Sequence, residues 1–268
     1  MRDGTRYVAG MGLRQRVWHA SYELLGARVK QPEWAFMNYG YAPVEPGGEP
    51  LALDPADEPD RYCIQLYAHV LDGVDVEGAD VLEVGSGRGG GASWVSRALH
   101  PRSTTGVDFA ASAVALSTRE RRRPGLTFVH GDALALPFPD ESVDVVVNVE
   151  SSHCYESMEA FVGQVHRVLR PGGIFVWADL RNADSVEATR AHLTSSGLVP
   201  EREDDITADV LNAMRLDDER KAGLVRAWIP RPLRAPMKSF AGLEGTRNPR
   251  GFASGERRYL SARLVRPA

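Results

Sequence analysis

The acids Glu83, Asp108, Asp132, Glu150 and Asp179, with His153 among them, recur at intervals that suit chemistry on a bound nucleoside. Glu83 ends the apolar run Val81-Leu82-Glu83-Val84, and the turn Gly85-Ser86-Gly87-Arg88-Gly89 follows. Glycine lets backbone approach a ligand closely and reach angles closed to other residues. Glu83 is then an acceptor for a cationic or hydroxylated ligand, and Gly85, Ser86 and Gly87 form its cradle. Asp108 comes about 20 residues after the turn, where a carboxylate accepts both hydroxyls of a ribose. Phe109 offers a ring face to the base. In Gly131-Asp132-Ala133 the acid suits an adenine amino group, and the Ala133 N–H suits a ring nitrogen. Glu150-Ser151-Ser152-His153-Cys154-Tyr155 brings a histidine, which titrates near neutrality. His153 is the candidate general base for a hydroxyl acceptor. Asp179 is the candidate that orients His153 or holds the acceptor, and Glu150 is a candidate for the donor's cationic end or the substrate.

The elements that must position these residues alternate. Apolar runs at Val81–Val84, Thr104–Val107, Leu126–Val129, Val143–Val149 and Ile174–Ala178 read as strands, with helices between them. Regular βαβ alternation predicts an α/β fold: a doubly wound, mostly parallel, Rossmann-like sheet with helices on both faces. Ligands in such sheets sit at the carboxyl ends of the strands, and Asp108, Asp132, Glu150 and Asp179 all fall at or just past those ends. Residues 198–205 and 257–266 read as two further strands. Asp184-Ser185-Val186-Glu187 resembles a capping box opening a helix. Residues 12–30 have helical spacing, with Leu13, Val17, Leu24 and Leu25 on one face, and the Pro- and Gly-rich residues 42–60 read as a loop. The expected organisation is an N-terminal helical cap (1–75), a ligand-binding core (76–205), a helical lid or substrate wall (206–251) and the last strand of the core sheet (252–268).

Composition excludes several classes. The chain has 268 residues, 43% hydrophobic and 25% charged, with a formal net charge of −4. An acidic balance is no footprint for nucleic acid. Two cysteines without CxxC spacing make neither a disulfide framework nor a metal cluster, and they suit a reducing cytoplasm. No apolar run is long enough to span a membrane, and the start of the chain lacks the apolar core of a signal peptide. No metal is expected, and no membrane or nucleic-acid partner; the oligomeric state is open.

The stretches GDALALPFPDESVDVVV, VLRPGG and ADL resemble the class I S-adenosylmethionine (SAM) methyltransferases, as does the GxGxG turn preceded by Glu83. Dinucleotide-binding turns place the third glycine one position later. A wider resemblance runs through FMNYGY (36–41), residues 130–155, LRPGGIFVWADLR (169–181) and GTRNPRGFASGERRY (245–259). It is to actinobacterial phthiotriol/phenolphthiotriol dimycocerosate methyltransferases and to antibiotic-pathway O- and N-methyltransferases. The resemblance implies SAM as donor and S-adenosylhomocysteine as product but does not fix the acceptor; the apolar residues of 206–251, among them Leu211, Met214, Trp228 and Phe240, suit a bulky, partly apolar natural product with a hydroxyl. The resemblance also implies that Tyr39, in Asn38-Tyr39-Gly40-Tyr41, closes over the methionine end of SAM, and that His153 and Asp179 match a His and an Asp of sugar O-methyltransferases; Gln65, on the helix before the sheet, is a further candidate for the SAM carboxylate. One departure stands out: many relatives carry Cys where Ser86 sits. An amine acceptor, a lipid or sugar hydroxyl, and a non-catalytic SAM-binding scaffold are the alternatives. Asn148-Val149-Glu150-Ser151 occupies the place where nucleic-acid methyltransferases carry an Asn/Asp-Pro-Pro-Tyr/Phe tetrad.

Overall fold

The computed structural model describes residues 34–45, 47 and 49–268, so the helix expected over 12–30 lies outside the described residues. Seven strands form one sheet: β1 (Asp80–Val84), β2 (Ser103–Asp108), β3 (Leu126–His130), β4 (Val143–Val149), β5 (Leu169–Asn182), β6 (Val199–Asp205) and β7 (Arg257–Val265). Its order is β3-β2-β1-β4-β5-β7-β6. β1 to β5 pair in parallel, and β7 enters antiparallel between β5 and β6. Strand order reverses between β1 and β4, so a crevice opens at their carboxyl ends, the usual ligand position in such sheets.

Helices α1 (Arg61–Leu71), α2 (Gly90–Ala98), α3 (Ala111–Glu120), α4 (Met158–Val168) and α5 (Val186–Thr194) accompany the sheet. Alternation along the strands divides the core. Val81, Val145, Val147, Val176 and Ala178 join Ile64, Leu66 and Trp94 on one face. Leu82, Val146, Phe175 and Trp177 join Phe161, Val162 and Val165 of α4 on the other. This period of two is what a sheet covered on both faces requires. Ser157 starts α4 by accepting from Ala160 N at 3.0 Å, which satisfies one of the amides a helix start leaves unpaired.

Two local expectations are corrected. Ser185 gives α5 no side-chain cap. A short 3-10 turn over Ala183–Ser185 precedes the helix, and the Ser185 hydroxyl donates back to Asn182 O at 2.8 Å. The fifth strand is also longer than the Ile174–Ala178 run, because β7 pairs with it as far as Asn182. Its last residue paired with β4 is Ala178, opposite Val149, so Asp179 lies inside β5 yet just beyond the parallel register.

The chain between β6 and β7 folds as α6 (Thr207–Leu216), α7 (Asp218–Trp228), α8 (Arg234–Phe240) and α9 (Arg247–Ser254). Of its apolar residues, Val210, Met214, Val225 and Ile229 are buried, whereas Leu216 and Leu233 are exposed. Among the described residues no helix is long and apolar enough to cross a membrane.

Candidate active site

The glycine turn is fixed mostly by backbone. Gly85 N and Ser86 N donate to Val107 O at 2.8 and 3.0 Å, and Gly87 N donates to Asp108 Oδ2 at 2.7 Å. Gly85 adopts φ +76°, and a Cβ there would stand 2.3 Å from Ser151 Oγ. No other residue fits both conditions. Asn148 explains why Ser151 is so near: its Nδ2 donates to Val84 O at 2.9 Å and to Ser151 Oγ at 2.7 Å, drawing the loop after β4 under the turn.

Asp108 is buried at the end of β2, with Oδ1 accepting from Ala110 N at 2.9 Å. A carboxylate oxygen carries two lone-pair sites, so both oxygens retain capacity for a diol. Asp132 is half-buried after β3 and accepts from Leu134 N at 2.9 Å through Oδ1. That bond tightens the turn carrying Ala133. Phe109 is half-buried with its ring centroid 6.3 Å from that of His130. The structure thus sets Asp108 against the glycine turn but gives Asp132 only local partners.

Glu83 is buried on β1. Its Oε1 accepts from Tyr67 Oη at 2.5 Å, while Oε2 is buried without a partner. Burial pushes its carboxyl up to about 8, and hydrogen bonding to Tyr67 and to the Ala92 backbone only partly offsets that. Ser86 Oγ and Gln65 Oε1 are likewise buried without partners. Buried polar atoms without partners are costly. Such atoms on β1, the turn and α1 could receive hydrogen-bonding groups from a ligand.

Across the crevice, His153 stands in a short 3-10 turn after β4. Its Nδ1 lies 2.8 Å from Asp179 Oδ1, and its backbone N–H donates to Asp179 Oδ2 at 2.8 Å. The carboxylate is fully buried, whereas the imidazole side chain is 32% exposed. Asp179 also accepts from Ser152 Oγ at 2.6 Å and from Leu180 N at 2.8 Å. Arg181 Nη1 pairs with it at 3.0 Å. Burial opposes charge on Asp179, but His153 and Arg181 override it and hold the carboxyl well below the usual range. Burial also opposes charge on the imidazole, and Asp179 overrides it, leaving His153 well above the ordinary histidine value. With Nδ1–H directed at the carboxylate, Nε2 is the nitrogen that exchanges a proton.

Glu150 has φ +52°, a conformation rare for a residue with a side chain, at the end of β4. Its Oε2 accepts from Tyr39 N at 2.8 Å and from Tyr259 Oη at 3.0 Å. Burial pushes its carboxyl up to about 7. The Tyr39 ring is buried edge-on to Phe252, and its hydroxyl accepts from Asn248 Nδ2. That leaves the Tyr39 O–H able to donate. Tyr41 instead stacks on His69, with centroids 4.3 Å apart.

Four residues absent from the sequence-based candidates complete this side: Ser152, Arg181, Trp177 and Tyr259. The first sits in the His153 stretch, and the others sit in the matched segments 169–181 and 245–259. Nothing in the local sequence marks Tyr67 as the partner of Glu83. Next to the extended segment at Tyr39, Trp34, Phe36, Leu224 and Phe240 line a small open cleft with Arg220 and Lys221. Lys221 Nζ donates to Asn38 O and Tyr39 O, at 3.4 and 3.3 Å. Tyr39, which Lys221 contacts through its carbonyl, also donates its N–H to Glu150. Among the described residues, no group of three or more His, Cys, Asp or Glu is placed to hold a metal ion.

Residues 82–177 match the Methyltransferase domain family. The chain is 41% identical over 245 residues to the phthiotriol/phenolphthiotriol dimycocerosates methyltransferase of Mycobacterium tuberculosis, covering 91% of this chain and 90% of that one. It is 38% identical to the fatty-acid O-methyltransferase of Mycolicibacterium smegmatis, covering 85% of each. A solved geranyl diphosphate C-methyltransferase from Streptomyces coelicolor, in complex with Mg2+, geranyl-S-thiolodiphosphate and S-adenosyl-L-homocysteine, superposes with a TM-score of 0.68. It covers 96% of this chain and 99% of its own at 16% identity, a likeness of fold.

Proposed function

The chain belongs to the class I SAM-dependent methyltransferases, in the family of the phthiotriol/phenolphthiotriol dimycocerosates methyltransferases, and on that premise we propose that it methylates a hydroxyl of a bulky, partly apolar small molecule of secondary metabolism. Family membership implies SAM, and the residues fit it. Gly85, Ser86 and Gly87 cradle its methionine part. Glu83 and Gln65 offer acceptors there, with Tyr39 closing over it. Asp108 takes the ribose, and Phe109, Asp132 and Ala133 take the base. Glu150 braces the segment at Tyr39 beside them.

When bound, SAM supplies an electrophilic methyl carbon on a cationic sulfur. The chain's own contribution is alignment and proton management. His153 Nε2 accepts the proton that the acceptor hydroxyl loses as its oxygen gains the methyl. Asp179 holds Nδ1–H, fixes the tautomer and stabilises the imidazolium that forms. The observation that carries this reading is the 2.8 Å pairing of His153 Nδ1 with the fully buried Asp179. An amine attacks as its free base and needs no such dyad, so the pairing favours a hydroxyl. Relatives named for dimycocerosates and fatty acids support an apolar acceptor. We read residues 206–251 as its wall and the cleft at Leu224 and Phe240 as the place for its apolar body. Two free cysteines, one of them exposed, favour a cytoplasmic setting.

The test is transfer from methyl-labelled SAM to a panel of hydroxylated lipids and polyketides, with label recovered as an ether. Replacing His153 by Ala should lower kcat/KM by about 10²- to 10⁴-fold. Affinity for S-adenosylhomocysteine, measured by calorimetry, should hardly move. A loss below about tenfold would remove the base and turn the reading towards an amine acceptor.

A further inference from the structure

Arg181 is 11% exposed at its side chain, and apart from a 3.7 Å contact of Nη2 with Met158 Sδ its polar contacts point into the His153 site. Nη1 pairs with Asp179 Oδ2 at 3.0 Å and donates to Leu180 O at 2.7 Å. Nη2 donates to Ser152 Oγ at 2.7 Å. The guanidinium lies 5.0 Å from the centroid of the Trp177 ring. Trp177 Nε1 donates to the same Ser152 oxygen at 2.9 Å, and Ser152 passes its own proton to Asp179 at 2.6 Å. The buried carboxylate therefore has two cations, His153 on one oxygen and Arg181 on the other, with Ser152 tying the second to the first.

We propose that Arg181 is a positioning residue that shares the Asp179 carboxylate with His153 and thereby sets how readily the imidazole gives up its proton. Asp179 already holds His153 well above the ordinary histidine value with Arg181 in place; as the sole cationic partner of that carboxylate, the imidazolium would be held tighter still. A second, permanent cation on the same carboxylate draws off part of that attraction, because the guanidinium stays charged at every working pH. Its planar fork reaches Asp179 and Ser152 together, which a lysine cannot do. Stacking on Trp177 fixes the plane of the fork, a cation–π contact of modest energy.

The other titratable groups facing this cluster are few. Glu150 approaches His153 from the end of β4, Cys154 follows it in the turn, Tyr259 faces Asp179 from β7, and Tyr39 faces it from its own extended segment. None of these is a permanent cation. Arg257 donates to Asn248 Oδ1 at 2.5 Å, and its charge acts on Tyr39.

The bearing of this on rate rests on the reading of His153 as base, but its first test does not. The His153 ring is titrated by nitrogen-detected NMR in the full-length protein, natural and Arg181→Gln. The midpoint is expected to rise by about one pH unit, a tenfold change in the neutral fraction. Arg181→Lys, which keeps the charge and loses the fork, should fall between the two. An unmoved or lowered midpoint in Arg181→Gln overturns the proposal. Should that variant fail to fold, Ser152→Ala replaces it. It releases one arm of the guanidinium and removes a donor from Asp179, so the midpoint should move up by less; no movement overturns the proposal. The acid limb of kcat/KM is then compared with the same midpoints. If it follows them, Arg181 acts on catalysis through the imidazole. If the midpoint rises and the limb stays, the hold of Arg181 on His153 stands and the base assignment falls.

Discussion

The two sides of the crevice are made of different material. On the β1–β2 side the ligand meets backbone: the turn from Gly85 to Gly89 is hung from Val107 O and Asp108 Oδ2, with partners 21 residues apart at Gly87. On the β4–β5 side it meets side chains gathered from distant chain. Glu150 bonds Tyr39 and Tyr259 at separations of 111 and 109 residues, and Tyr39 bonds Asn248 at 209. A turn whose shape comes from glycines and neighbouring strands is set once the sheet forms. A wall assembled from residues 206–251 and β7 can be rebuilt without disturbing that turn, with the segment at Tyr39 lying between the two. One side therefore suits a ligand shared by a family, and the other suits acceptors that differ among its members.

If the sides are separable in this way, substitutions should split their effects. Asp108→Ala removes a charged acceptor of the ribose diol and of Gly87 N and Ala110 N. Hydrogen bonds to charged groups contribute about 1.5–3 kcal/mol each, so calorimetric affinity for S-adenosylhomocysteine should drop on the order of 100-fold. Acceptor KM at saturating donor should not change. Unaltered affinity would refute the ribose assignment. Leu224→Trp fills the cleft beside Phe240. Acceptor KM should rise roughly tenfold, within the 1–3 kcal/mol typical of overpacking, with donor-product affinity intact. Equal movement of both parameters would show that the lid and the glycine turn act as one unit.

The unequal legibility of the sequence follows the same division. The run of strands along the chain, the glycine turn and the acids at strand ends could be read because each depends on a local pattern: an apolar run, a turn, an acid at its end; the order of the strands in the sheet could not. His153 and Asp179 could be placed at neighbouring strand ends, but their hydrogen bond is a fact of sheet pairing. Arg181 and Ser152 sat in plain view within recognised stretches, yet nothing local distinguishes a guanidinium turned inward to Asp179 from one turned to solvent. Tyr67 was hidden more thoroughly, since a tyrosine on an apolar helix face reads as core until Glu83 is seen beneath it. The misread cap at Ser185 has the opposite cause. The motif was present, but a 3-10 turn left its side chain committed to Asn182 O.

Glu83 crosses the division, because it is a side chain serving the backbone-built side, and it supports the subtlest expectation. Burial leaves it with a carboxyl near 8 and an orphan Oε2. In the ligand-free protein at pH 7 it is therefore mostly protonated. A cationic ammonium arriving at Oε2 stabilises the carboxylate, lowers that value and expels the proton. Affinity for S-adenosylhomocysteine should accordingly rise as pH climbs from about 6 to 8. The proton count comes from calorimetry at pH 7 in buffers of different ionisation heat, and release of a fraction of a proton per ligand is expected. Glu83→Gln should abolish the release, because an amide has no proton to give up over this range, and should keep Oε1 bonded to Tyr67. Binding heats that do not depend on buffer, or proton uptake instead of release, would mean that the ammonium lies elsewhere. The partnerless oxygen of Glu83 would then need another ligand group to satisfy it.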